Sequence, residues 1–250
     1  MRYFRFISRF TERTFPRTCL VVLVMICAVN PRAVPAPTQE EQVIAIISKM
    51  KAAYARVEGY RTDVEVEEYR EGRLSETRRF VYTFKKPDHL RIDMESPHPG
   101  LVLVYPDEEG KVSVKPGGIG HFFKLRLAPD NPLLTRRTGQ RIDQTDLGLL
   151  IRNIEHSLTD RRFGEIGISG HNDRVILEVL AADHFLPGVR TRYRFHIDKK
   201  DWLPMEVDEL TADGELKRKV KFRDLQIMTG IPDNFFRLDG ENTGDGEPAR

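Results

Sequence analysis

Cysteine is confined to the first 27 residues: Cys19 and Cys27 are the only two in a chain of 250. From residue 28 onward there is no disulfide, no thiol nucleophile and no thiolate metal ligand, so stability has to come from packing. Paired histidines are missing too. The seven, at positions 89, 98, 121, 156, 171, 184 and 196, form no His-x-x-x-His or His-x-His, which removes the local zinc motifs, and no metal or other cofactor is expected. A bilayer-spanning helix takes about 20 apolar residues, and the longest apolar run, Cys19 to Val29, has eleven. A large charge excess is also absent. The whole chain carries +2, but residues 1–36 hold six arginines and one acid, and the remainder carries 34 basic and 37 acidic residues. A domain near −3 offers no global attraction for nucleic acid. With 40% hydrophobic and 31% charged residues the chain has the composition of a folded, soluble domain and not of a disordered one.

The N-terminus has the pattern of an export signal. Five arginines precede the eleven-residue apolar run, which stops at Asn30-Pro31, and Val34-Pro35-Ala36 supplies small residues for cleavage. Residues 1–36 are therefore expected to be a signal peptide and the rest to be periplasmic. Pro37 directly after the cut leaves a retained membrane anchor as the alternative. Lipid modification of either cysteine is excluded, because Thr18 precedes Cys19 and Ile26 precedes Cys27.

Thr38-Gln39-Glu40-Glu41 has the form of a capping box. Val43, Ile47, Met50, Tyr54 and Val57 follow at helical spacing, with Gly59 as the stop. Alternation then replaces the helical period. Strands are expected around Thr62, Val64 and Val66; around Phe80, Tyr82 and Phe84; and around Leu90, Ile92 and Met94. Leu101 to Tyr105 is a continuous apolar run, so both of its faces should be buried. Val112/Val114 and Phe123/Leu125/Leu127 continue the series. A second helix is expected over residues 143–158, capped by Asp143, with Gly148 weakening it. Strands resume at Val175–Val179, Tyr193–Ile197, Trp202–Leu210 and Leu216–Leu225, with Asp213-Gly214 as a hairpin turn. Short strands joined by turns spell an antiparallel meander. The expected organisation is a leader over 1–36, one domain over 38–238 and a flexible polar tail over 239–250.

Catalytic motifs are weak. Gly117-Gly118-Ile119-Gly120 precedes a strand and not a helix, so it reads as a turn and not a phosphate cradle. Gly167-Ile168-Ser169-Gly170 lacks the spacing of a nucleophile elbow. Glu65/Glu67 and Glu206/Asp208 fall on strand faces expected to meet solvent. Arg78-Arg79 and Lys217-Arg218-Lys219 read as edge and surface charge. The chain is not expected to be an enzyme. What remains is apolar: Phe80, Tyr82, Phe84, Leu90, Ile92, Met94, Leu101, Leu103, Tyr105, Trp202 and Met205. A closed core accounts for them; so does a curved sheet whose concave face is partly covered and binds an apolar ligand there.

The segments "YARVEGYRTDVEVEE", "FVYTFKKPDHLRIDM", "GLVLVYPDEEGKVSV", "FHIDKKDWLPMEVDELTADGELKRKVKF" and "IPDNFFRL" resemble bacterial outer-membrane lipoprotein-carrier proteins, the LolA/LolB-like superfamily. Over residues 130–160 the chain resembles an uncharacterised secreted branch of that group more than the carrier. The resemblance implies a mainly β, α+β fold: an open antiparallel half-barrel with helices packed across the concave face. It implies a periplasmic carrier or chaperone for lipid or lipoprotein acyl chains and gives Arg91 a lid-related role; the chain is expected to be a monomer. Strand alternation, however, sends Arg91 away from Leu90, Ile92 and Met94. The alternative function is an envelope scaffold or regulator that binds a protein partner with the same fold.

Overall fold

Among the described residues, eleven antiparallel strands form a single open sheet in the order β6-β5-β4-β3-β2-β1-β11-β10-β9-β8-β7. The strands are β1 (Gly59–Arg70), β2 (Arg73–Lys85), β3 (His89–Ser96), β4 (Val102–Tyr105), β5 (Val112–Lys115), β6 (Leu125–Leu127), β7 (Gly167–His171), β8 (Arg174–Ala182), β9 (Arg190–Asp198), β10 (Pro204–Leu210) and β11 (Leu216–Met228). Two helices, α1 (Gln39–Ala55) and α2 (Leu147–Thr159), share one hydrophobic core with the concave side. This computed structural model describes residues 36–118, 123–135, 139–160 and 166–238. Residues 1–35 of the expected leader, Ile119 and Gly120 of the glycine turn, and the tail from 239 lie outside the described residues. The expected open half-barrel with helices across its concave face is the architecture found. Among the described residues, only the β1–β11 pair joins strands far apart in sequence; every other ladder described is a local hairpin, which is why the meander was readable from turns.

Helix α1 begins as expected. The Thr38 hydroxyl accepts from the Glu41 N–H while the Glu41 carboxylate accepts from the Thr38 N–H. Val43, Ile46, Ile47, Met50 and Ala53 are its buried face, each larger apolar side chain contributing about 1.5–3 kcal/mol on burial. The stop differs from the expectation. The Lys86 ammonium donates to the Tyr54 carbonyl at 2.8 Å, satisfying a carbonyl at the helix end. Gly59 instead opens β1, where a Cβ would come within 2.7 Å of the Phe84 carbonyl oxygen.

Helix α2 is capped by Asp146, whose carboxylate accepts from the Leu149 N–H, and not by Asp143. Asp143 sits in a preceding 3-10 turn, Ile142–Gln144, and holds Arg141. Gly148 is a requirement and not a weakness: a Cβ there would lie 2.5 Å from the Tyr54 ring of α1. Strand β10 starts two residues later than expected because Trp202 takes a left-handed turn conformation, φ +54°. The faint elbow at 167–170 is the edge strand β7. The run in β4 is buried on both faces as expected. Leu103 joins the concave core, and Val104 packs with Ile231 and Phe236 on the convex side.

Candidate functional site

Strand register sorts the side chains into two faces with opposite chemistry. Phe84, Tyr82 and Phe80 on β2 stand opposite Leu90, Ile92 and Met94 on β3, and Leu90 and Ile92 stand opposite Tyr105 and Leu103 on β4. Directly paired residues point to the same side of a sheet, so these eight share the concave face. Leu101 and Trp202 are half-buried and pack against the same core, Trp202 beneath the Lys49 ammonium, which lies 4.1 Å from its ring centroid. Met205 sits at the irregularity between Pro204 and Glu206 and is half-buried.

A cavity opens between this face and the N-terminal part of α2. It is open at its mouth and has a volume of about 100 Å³. Of the eleven expected residues, Phe80, Tyr82 and Ile92 line it; Phe84, Leu90 and Leu103 are packed in the adjoining core. The other half of the lining comes from strands at the far side of β1: Tyr193, Val207, Val220 and Phe222. Their alternation was visible, but nothing local in the sequence shows that β11 closes onto β1. Leu149 and Leu150 of α2 supply the roof, and Gln140, Asn153, Glu209 and Arg218 add polar lining.

Hydrogen bonds hold that roof. The Leu147 N–H donates to the Tyr60 hydroxyl oxygen at 3.0 Å, the Tyr82 and Thr145 hydroxyls are 3.1 Å apart, and the Tyr54 hydroxyl donates to Asp146 at 3.3 Å. Burial pushes the Tyr60 and Tyr82 phenols well above the usual range, so both stay neutral and able to serve as these partners. At the other end of α2, the Ser157 hydroxyl and His184 Nε2 are 2.7 Å apart. His184 also stacks on Tyr193 with ring centroids 4.1 Å apart. Burial lowers the His184 pKa to about 4, with the nearby Asp183 charge opposing, so the ring is neutral at pH 7. Ser157 is buried outside the cavity lining and His184 is part of it, so the pair tethers α2 to the sheet at the cavity's edge.

Arg91 is on the convex face. Its guanidinium grips Asp93 through two nitrogens, donates to the Phe235 carbonyl at 3.2 Å, and lies over the Phe235 ring. It holds the C-terminal 3-10 turn Asp233–Phe236 and is remote from α2's side of the sheet, because it alternates with Leu90 and Ile92. The basic pairs also need correction. β2 and β11 are interior strands, so Arg79, Lys219 and Lys221 do not guard an edge. They complete ion-pair rows running across the convex face. One links Glu178, Arg194, Asp208, Lys219 and Glu206 at 2.9–3.7 Å; the other links Glu67, Lys221, Glu65 and Arg79 at 2.8–3.1 Å. Glu65 and Asp208, expected on solvent faces, are only 8% and 4% exposed. Bonding from Lys221 lowers the Glu65 pKa to about 2 against the cost of burial.

Among the described residues, His196, Glu206 and Asp208 bring their ligand atoms within 4.8 Å of one another. Their spacing in the sequence hid this, because β9 and β10 bring them together only on pairing. Burial works against the Asp208 charge, but His196 and Lys219 outweigh it and hold the carboxyl below its usual range. The Lys219 ammonium stands 3.1 Å from Glu206 and 3.3 Å from Asp208. A cationic group is thus already seated where a metal would be held.

No family model matches the chain, and no curated protein does. Solved structures similar to it include a LolA superfamily protein from Nitrosomonas europaea (12% identity, 79% of this chain and 98% of that one, TM-score 0.37). A lipoprotein-sorting protein domain from Vibrio parahaemolyticus is 15% identical over 78% of this chain and 97% of its own, with TM-score 0.40. MucB in the Pseudomonas aeruginosa MucA/MucB complex is 15% identical over 78% and 60%, with TM-score 0.43. These likenesses concern fold, and they assign no residue of this chain a role. No described helix is long and apolar enough to cross a membrane.

Proposed function

We propose that this chain is a periplasmic binding protein for an apolar ligand, a lipid or a lipoprotein acyl chain, and serves as its carrier or chaperone without catalysing a reaction. One observation carries the reading: the concave face keeps an apolar cavity under α2 instead of being sealed by it. Each methylene moved from water into such a lining gains about 0.8 kcal/mol. Holding the roof by a few hydroxyl and histidine bonds, each worth about 1 kcal/mol net, lets a ligand displace it. The basic, apolar N-terminus supports delivery of the domain across the inner membrane.

The test is lipid extraction and native mass spectrometry of protein purified from its envelope, with titration of the delipidated protein by the neutral apolar dye N-phenyl-1-naphthylamine. A co-purifying acyl lipid or lipoprotein and saturable dye binding are expected. No guest and no dye binding would overturn the reading, and a specific non-acylated polypeptide bound in its place would establish the scaffold alternative. Cell fractionation with N-terminal sequencing should place the protein in the periplasm, starting near residues 34–38. Full-length protein found only in the inner membrane would instead establish the anchor.

A further inference from the structure

The concave face is not uniformly apolar, and the register shows where it changes. Glu76, Glu68, Arg218 and Glu209 are aligned across β2, β1, β11 and β10. One step along the strands, two residues or about 7 Å, the aligned residues are Arg78, Val66, Val220 and Val207. The next row holds Phe80, Val64 and Phe222. Arg218 and Glu209 line the same cavity as the valines and phenylalanines. Charge therefore gives way to hydrocarbon within one cavity and along one direction.

Arg218 is only 4% exposed. Its guanidinium donates to Glu209 at 3.1 Å and to the Gln140 side-chain oxygen at 3.4 Å, and its Nε lies 3.6 Å from Glu68. Arg78 donates to Glu68 at 2.8 Å and approaches Glu76 at 3.3 Å. Hydrophobic side chains of similar volume would fill this row without desolvating charge, so packing alone gives no reason for it. Both guanidinium groups already face carboxylates. An anion entering the cavity approaches Arg218 beside the Glu209 carboxylate that already holds it, and like charges in a partly buried site repel strongly. An uncharged head that donates and accepts hydrogen bonds faces no such conflict. Beside Arg218 the cavity also presents the Gln140 and Asn153 carboxamides, which suit such a head.

We infer that the cavity binds an amphipathic ligand whose acyl tail lies along the valine and phenylalanine rows and whose head is an uncharged ester or amide set against Arg218, Glu209, Gln140 and Asn153. This rests on the apolar-ligand reading and adds the chemistry of the head. A free fatty-acid anion is disfavoured.

The test is displacement of N-phenyl-1-naphthylamine from the delipidated protein at pH 8, below micelle formation, by three competitors with the same tail: laurate, 1-lauroylglycerol and an N-lauroyl peptide amide. At least one neutral competitor should displace the dye at a concentration tenfold or more below that of laurate. Which of the two is tighter tells a glyceride from an acylated polypeptide. In Glu209→Gln, with its folding checked by a melt, the preference over laurate should shrink at least threefold, because Arg218 then has one carboxylate fewer. Laurate binding as tightly as both neutral ligands, or an unchanged preference in folded Glu209→Gln, overturns the inference while dye binding keeps the apolar-ligand reading intact. Failure of the dye itself to bind overturns both.

Discussion

Single residues in this protein are decided by what lies across from them. Gly148 faces the Tyr54 ring, so Gly148→Ala should cost about 1–3 kcal/mol, the usual price of overpacking, although alanine is the better helix former. A lower urea midpoint would show it; a higher midpoint would mean the ring moves aside freely. His184 and Glu65 set acid sensitivity in separate windows. Both folded pKa values are depressed, so each contribution is complete above the unfolded value and is lost as pH falls toward the folded one. For His184 that window runs from 6.5 down to about 4; for Glu65 it runs from 4.5 down to about 2. His184→Phe, which keeps an aromatic ring against Tyr193, should flatten the decline in Tm between pH 7 and 4.5 and leave the lower window. An unchanged slope there would show that the burial of His184 is not felt.

At the scale of elements, strand pairing makes groups that no segment contains. Lys219 of β11 stands between Glu206 and Asp208 of β10, beside His196 of β9. Lys219→Ala should destabilise the sheet by roughly 3 kcal/mol, since it leaves the buried Asp208 carboxylate short of a partner. Added zinc should then raise the Tm of Lys219→Ala and not of the parent, because the variant frees the three-ligand position; equal responses would refute the seating of the ammonium in that position. Helix α1 shows the local counterpart. Thr38→Ala removes the capping acceptor for Glu41 and should cost about 1 kcal/mol, measured in the same melts.

For the whole molecule, the two faces of one sheet do different work. Ile92 is 8% exposed and borders the cavity; Ile92→Asn should cost about 3 kcal/mol through lost burial and an underbonded amide and weaken dye binding severalfold. Arg91→Ala, one residue away, should leave dye binding within twofold while speeding proteolysis after β11, because the C-terminal turn loses its clamp. If Arg91→Ala lowers dye affinity as much as Ile92→Asn, the division of faces is wrong.

Much of the architecture was legible because it is local. A capping box, a change of period at Tyr60 and hairpin turns depend on neighbours in the chain, and these yielded α1 and the meander. The concave row Phe80–Tyr82–Phe84 with Leu90 and Ile92 was legible for the same reason, since alternation alone puts those side chains on one face. The cavity's far wall, the charged row at Arg218, the His196 cluster and the grip of Arg91 on the C-terminal turn were not. Each depends on which strand lies beside which, and above all on β11 pairing with β1 across some 150 residues. The amino-acid order determined period and turns; tertiary pairing decided which charges are buried and what faces them, because burial and ion pairing are properties of neighbours in space.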